Sequence, residues 1–256
     1  MKYLGTMTYR QVEQYREKTN MALLPVGATE AHGPHLPLMV DSVSAEEIAE
    51  RAAEKLLRNN IDVLIAPAIH YAVADTSHSF AGNITLSFET LAGLIEDICS
   101  SLCKWGFNRI MIISGHGEQK NRQAIAEGLK RAQVKNEHMK AAISKWFAKG
   151  LPALSNLCLE EHPQWDYHAG EWETALILLR HPEYVDREEL QKLEPNWEGQ
   201  FLLERTAEGK KDWLDLGAPL AYFGDPRKAR KETAEKVYDL FAEIVTGEVM
   251  ALAKKD

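Results

Sequence analysis

Twice in this chain an apolar run of strand length empties into a short, glycine-marked turn that carries histidine and acid together. The first run, Met21 to Val26, is followed by Gly-Ala-Thr-Glu30-Ala-His32-Gly-Pro-His35-Leu-Pro-Leu-Met-Val-Asp41. The second, Ile110 to Ile113, is followed by Ser-Gly-His116-Gly-Glu118. Short apolar runs without polar alternation are the pattern of parallel strands buried on both faces. Open α/β sheets gather ligands beyond the carboxyl ends of such strands, so two turns of this kind predict one shared site. Either turn alone reads equally well as a solvated loop. Together they point to a metal: carboxylate oxygen and imidazole nitrogen suit zinc, manganese or iron, and the thiolates of a closed structural zinc are missing. If the backbone is extended through Glu30 and His32, both side chains fall on one side.

Between these turns the chain alternates strand and helix. Tyr9 to Lys18 reads as an amphipathic helix, Met21 to Val26 as a strand, and Ser44 to Leu57 as a helix with acids early and basic residues late, as the helix dipole favours. Asp62 to Ala66 reads as the next strand. The segment His70 to Ser87 is longer than an ordinary connection and is expected to be functional or mobile. Ser87 caps a helix over Phe88 to Trp105 that stops at Gly106. Arg109 to Ile113 is a third strand, Asn121 to Lys135 a helix, and Ala141 to Trp146 a fourth strand. Leu151 to Trp165 reads as a loop over the site, Trp172 to Leu179 as an apolar helix, and Asp186 to Leu193 and Arg230 to Lys254 as closing helices. Trp197, Trp213 and Tyr222 lie in an ill-defined stretch and read as packing or subunit contacts.

Composition narrows the class. With 256 residues, 45% of them hydrophobic, the chain can bury a substantial core as one α/β domain spanning 1–256. A formal charge of -8 without a compensating basic face argues against nucleic-acid or anionic-membrane partners. No apolar run reaches membrane-spanning length. Three cysteines cannot all pair and no signal-peptide pattern opens the chain, so a reducing cytoplasm with free thiols is expected. Cys99 and Cys103 read as neighbours on a helix rather than a metal pair. The turn at His116 could hold a phosphate on the following helix, but it lacks a P-loop ending and Glu118 would repel an anion.

Glu30-Ala-His32-Gly-Pro-His35-Leu-Pro with Asp41, Gly-His116-Gly-Glu118, and His168-Ala-Gly-Glu171-Trp-Glu173-Thr together resemble the creatininase (creatinine amidohydrolase) family. The similarity extends to the segment Gly224-Asp-Pro-Arg-Lys-Ala229. The resemblance implies a three-layer α/β/α sandwich with a mainly parallel central sheet, two divalent ions per chain (zinc, manganese or both, with iron as a further choice), and a homohexamer. Glu30, His32, Asp41, His116 and Glu118 match the positions that hold the two metals in creatininase itself. Where family members lack an acid at the Glu118 position, the acid matching Glu171 can take the metal; this chain has both, with Glu118 the favoured ligand and Glu171 supporting it or replacing it. His168 matches the family's catalytic imidazole, and Glu173 could orient it. His78 and Asn83 fall in a block that resembles the family's substrate segment, although Asn83 stands where members usually carry Thr. His35 is assigned to the substrate pocket or to a position behind the ligands. The creatininase branch carries Tyr where this chain has Gly117, which bears on the substrate.

The chemistry expected of this set is hydrolytic. Asp41, with two oxygens, can bridge two ions that lower the pKa of a shared water and polarise a carbonyl, while His168 moves the proton to the leaving group. The expected substrate is a small cyclic amide, creatinine-like or formamidopyrimidine-like; the alternative is a cyclic keto-polyol such as a keto-inositol, opened at a carbon–carbon bond. A non-catalytic metal-binding assembly protein is the reading from another class, disfavoured by a carboxylate-rich set that leaves room for water.

Overall fold

The computed structural model describes residues 2–254. In chain order its elements are β1 (Lys2–Tyr3), α1 (Tyr9–Tyr15), β2 (Met21–Val26), α2 (Val40–Arg58), β3 (Leu64–Ile65), α3 (Phe88–Lys104), β4 (Arg109–Ser114), α4 (Gln119–Lys135), β5 (Lys140–Ile143), α5 (Trp146–Gly150), α6 (Glu171–Arg180), α7 (Arg187–Lys192), α8 (Leu202–Ala207), α9 (Trp213–Leu216) and α10 (Lys231–Ala253). The five strands form one parallel sheet in the order β1-β3-β2-β4-β5. β2 and β4 are its central pair, in register from Met21 opposite Arg109 to Val26 opposite Ser114, so the two histidine turns leave the sheet side by side.

Alternation along these strands feeds two cores. Met21 and Leu23 of β2 and Met111 and Ile113 of β4 pack with α2, α6 and α10, while Ala22, Leu24, Val26, Ile110 and Ile112 pack with α3 and α4 on the opposite face. A strand buried on both faces has no solvent side, which is why these runs carry no polar alternation. The result is the expected three-layer α/β/α sandwich with a parallel sheet. Helix starts follow local chemistry: Thr8 forms a capping box with Gln11, and Ser87 accepts from the Thr90 amide at 3.2 Å.

Three differences from the sequence reading matter. α2 starts at Val40 rather than Ser44, so Asp41 sits in the first turn of a helix, where the dipole favours its negative charge. The expected strand Ala141 to Trp146 is shorter, because Trp146 turns away into α5 to donate its indole N–H to the Ser114 carbonyl at 2.9 Å. The stretch around Trp197 and Trp213 contains two short helices, α8 and α9. No helix among the described residues is long and apolar enough to cross a membrane.

Two glycines let α2 approach the strand ends. A Cβ on Gly27 would lie 2.4 Å from the Ser42 backbone, and one on Gly115 would lie 2.1 Å from the Asp41 carbonyl oxygen. Gly115→Ala is therefore expected to destabilise the fold by at least about 1–3 kcal/mol and to displace Asp41. Gly247→Ala, in the interior of α10 with nothing within 4 Å, should instead stabilise by about 0.5–1 kcal/mol. Denaturant titration of the two variants checks the contrast; equal effects would mean that the close approach of Gly115 to Asp41 does not position α2.

Candidate metal centre

Four segments converge beyond the carboxyl ends of β2 and β4. The loop after β2 supplies Glu30 and His32, and its Glu30 amide bonds the Leu38 carbonyl at 3.1 Å. The first turn of α2 supplies Asp41 and the turn after β4 supplies His116, whose carbonyl is held by Ser114 Oγ at 3.0 Å and by the Asn121 amide at 3.3 Å. The entry to α6 supplies His168 and Glu173. There Ala169 is left-handed, with φ 53, a conformation that L side chains adopt at a cost. Glu173 Oε2 holds it by accepting the Ala169 N–H at 2.6 Å.

Both histidines after the strands are oriented in the same way. His116 donates Nε2–H to the Val73 carbonyl at 3.0 Å, leaving the Nδ1 lone pair 2.9 Å from Glu30 Oε1 and 3.1 Å from Asp41 Oδ2. His32 donates Nδ1–H to the Glu30 carbonyl at 3.2 Å, leaving Nε2 3.3 Å from Asp41 Oδ1 and 3.9 Å from Glu173 Oε1. A ring nitrogen fixed by a backbone carbonyl while the other faces carboxylates is how proteins prepare metal-ligating histidines. His32 Nε2 and Asp41 Oδ2 are fully buried and make no hydrogen bond, although charged or basic atoms stand close to each. Donor atoms that converge without bonding one another fit a cation between them.

Two triads share Asp41: Glu30, Asp41 and His116 form one, and His32, Asp41 and Glu173 the other; a further group, Glu30, His32 and His168, overlaps both. All six side chains are buried. Burying carboxylates is costly unless a positive charge answers them. Burial would lower His116, but Glu30 and Asp41 outweigh it and hold this imidazole well above its ordinary value. Burial likewise opposes His32, and Asp41 raises it to about 9. Glu30 is lowered, with burial opposing and His116 prevailing, and Asp41 is lowered by His32 and His116 against its own burial. For Glu173 burial prevails over His32 and raises it to about 7. The same field that favours a proton on each histidine favours a divalent ion, and an ion must displace those protons to bind.

The other residues singled out in the sequence stand at different distances from this centre. Glu118 belongs to neither triad; its Oε2 accepts from the Thr76 amide and hydroxyl at 3.1 and 3.0 Å and lies 3.8 Å from His116 Nε2, at the rim. Glu171 is turned away altogether, held by the Leu159 and Glu160 amides and the Thr233 hydroxyl. Two residues apart at a helix start, Glu171 and Glu173 point to nearly opposite sides, and only Glu173 reaches the triads. His168 does come in: Nε2 bonds the Ala31 carbonyl at 2.8 Å, and its ring lies 4.2 Å from His32 and stacks on Trp213 at 4.7 Å. Burial, with His32 nearby, lowers it to about 4.

The centre forms the floor of a cavity of about 380 Å³. Its walls include Thr76, Arg122, Phe147, Leu151, Tyr167 and Trp213. His35, His78 and Asn83 do not line it. His35 lies beneath α6, with Nε2 on Thr174 Oγ1 at 2.8 Å; His78 is exposed and pairs with Asp212 at 2.9 Å; Asn83 braces the loop through the Ala74 carbonyl at 3.0 Å. What the loop between β3 and α3 brings to the site is instead the Val73 carbonyl and Ser77, whose hydroxyl donates to Glu30 Oε2 at 2.6 Å and accepts from Trp213 Nε1 at 2.9 Å. Trp213 is the residue sequence reasoning missed as part of the site; no local motif surrounds it.

Comparison with known proteins agrees with this geometry. Residues 5–248 match the creatininase family model, described as creatinine amidohydrolase. A mycofactocin precursor peptide peptidase of Mycolicibacterium smegmatis is 29% identical over 245 residues, 95% of this chain and 87% of the relative. Creatinine amidohydrolase of Pseudomonas putida is 30% identical over 198 residues, 72% of this chain and 74% of that one. A crystal structure of creatinine amidohydrolase superposes with a TM-score of 0.80 at 23% identity, covering 99% of this chain and 98% of the other, and a manganese form of creatininase gives 0.78 at 22%, covering 97% of each; at such identity the likeness concerns the fold. With the family model spanning nearly the whole sequence, the chain belongs to the creatininase family of metal-dependent hydrolases.

Proposed function

We propose that the chain is a single-domain binuclear amidohydrolase that cleaves a carbon–nitrogen bond of a small amide. The observation that carries this reading is the pair of buried donor triads sharing Asp41 at the floor of the cavity. Glu30, Asp41 and His116 would hold one ion, and His32, Asp41 and Glu173 the other, with Glu118 left at the rim and Glu171 outside. Oxygen and imidazole donors suit zinc and manganese, with iron also compatible. When bound, such a pair supplies activated water and polarises a carbonyl at neutral pH.

The rest falls to the side chains. His168, lowered by burial, enters the reaction as a neutral imidazole; its Nε2–H is engaged by the Ala31 carbonyl, so Nδ1 is the nitrogen that takes a proton and returns it to the leaving nitrogen. Trp213 fixes the ring by stacking. The aromatic and aliphatic walls favour an amide over a keto-polyol, whose hydroxyls need polar partners that Phe147, Leu151 and Trp213 do not give. A Cβ on Gly117 would meet Phe147 at 3.6 Å, in ordinary van der Waals contact, so Phe147 stands beside the position where the creatininase branch carries Tyr. The two relatives named for peptide and creatinine hydrolysis both act on carbon–nitrogen bonds. A homohexamer, as the family resemblance implies, in the reducing cytoplasm that the unpaired cysteines suggest, completes the proposal, and light scattering tests the assembly.

Metal analysis of protein purified without chelator should give two ions per chain at this centre, and Asp41→Asn should lose both of those. Glu173→Gln should lose one of the two while Glu118→Gln keeps both; the reverse pattern would move the ligand role to Glu118. His168→Ala should reduce turnover by about 10²–10⁴-fold with metal content unchanged. Loss of metal in that variant would make His168 a ligand instead. Proton NMR of manganese- or zinc-loaded protein with creatinine, a formamidopyrimidine, a short peptide and a keto-inositol in separate tubes should show cleavage of an amide. Opening of the keto-inositol alone would overturn the carbon–nitrogen reading.

A further inference from the structure

A second group of potential ligands lies on the far side of the α6 start. Cys158, Glu160 and Glu171 bring a thiol and two carboxylates together, with one donor atom from each within 4.8 Å of the others. Glu160 and Glu171 are buried, and Cys158 is partly so. A fourth side chain outside this group is aimed into it. Asp166, 4% exposed, faces Glu160, with which it can share a proton; apart from that pairing, neither Asp166 oxygen nor Glu160 Oε1 has a hydrogen-bond partner. Asp166 and Glu160 flank Gly224: a Cβ there would meet Glu160 Oε2 at 2.6 Å and Asp166 Cβ at 3.1 Å. Burial and the facing Glu160 hold Asp166 well above the usual carboxylate range. The nearest basic groups do not answer these charges. Arg227 is engaged by Asp225 at 3.2 Å, and Arg230, which favours the charged form of Glu171, donates from Nη1 to the Arg227 and Ala229 carbonyls.

The geometry points to a separate cation site formed by Cys158, Glu160, Glu171 and Asp166, taking a single borderline-soft divalent ion such as zinc. A divalent ion would replace the proton that burial and mutual repulsion keep on the Glu160–Asp166 pair, and a thiol beside it selects a softer ion than calcium or magnesium. Zinc–sulfur and zinc–oxygen bonds of about 2.3 and 2.0 Å place tetrahedral ligands about 3.5 Å apart, so the donors of Cys158, Glu160 and Glu171 need close by about 1 Å, with Asp166 completing the set from beside Glu160. Binding releases the Cys158 proton, which burial otherwise holds in place. The ion would tie the loop before α6 to the first residue of that helix. Glu160 Oε2 already accepts the Asp225 N–H at 2.7 Å, which adds the turn after Gly224. Its role is structural: it braces the segment that carries His168 without entering the reaction.

Cobalt distinguishes this site from the catalytic one, because the two triads contain no sulfur and cannot produce a thiolate-to-cobalt charge-transfer band. Metal-free full-length protein loaded with Co²⁺ should show that near-ultraviolet band. It should disappear in Cys158→Ser and in Glu160→Gln, and persist in Asp41→Asn and in Cys99→Ser and Cys103→Ser. Zinc content should follow: one ion retained in Asp41→Asn, none in Asp41→Asn combined with Cys158→Ser. Absence of the band in the parent protein at saturating cobalt, or its survival in Cys158→Ser, would overturn the site. A failed binuclear reading would leave the band intact, so the two outcomes are separable.

Discussion

The constraint on which the rest depends is the burial of carboxylates at the edge of a parallel sheet. Glu30, Asp41 and Glu173 have almost no solvent, and the basic groups nearest to them are imidazoles whose own charge is optional. Low dielectric makes each such charge expensive alone and strong in company. The surrounding structure can be understood as the means of keeping that company fixed. Backbone carbonyls of Glu30, Ala31 and Val73 each take one ring N–H, so every histidine of the centre has a defined free nitrogen. Ser77 and Trp213 extend the same order outward, from Glu30 to the aromatic wall of the cavity.

Much of this was legible in sequence because it is local. A strand buried on both faces writes itself as an uninterrupted apolar run, and a turn that holds a metal-ligating histidine against a neighbouring helix needs glycine where backbones nearly touch. Both signals surround His32 and His116, and the sandwich followed from them. The position of Asp41 was harder. The helical pattern reads as starting at Ser44, which leaves Asp41 in a loop, yet tight packing of Gly27 and Gly115 against residues 41 and 42 lets the helix begin at Val40.

What could not be read was anything that turns on helix phase or on the path of a long loop. Glu171 and Glu173 are equivalent as letters; only the direction in which α6 leaves Gly170 assigns one to the triads and the other to Cys158 and Glu160. In the same way, His78 and Asn83 have the chemistry of a substrate pocket, but the loop between β3 and α3 presents its backbone at Val73 and its hydroxyl at Ser77 to the site, and turns those two side chains elsewhere. Trp213 reaches His168 from a stretch with no periodicity at all. Its indole carried no mark distinguishing a wall of the site from ordinary packing.

The donors of the triads come from Glu30, His32, Asp41, His116 and Glu173, on segments separated by most of the sheet's connections. No short stretch of the nascent chain holds more than three of them, and the pair β2–β4 must form before His116 can meet Glu30. Such long-range pairing closes late in folding, since loop-closure entropy must be overcome first. The chain must therefore acquire its sheet as an apoprotein, tolerating protonated histidines in the interim, and load metal afterwards through the cavity mouth. Which ion occupies the centre in a cell is then decided by what is available to the folded protein, rather than by what binds the chain as it is made.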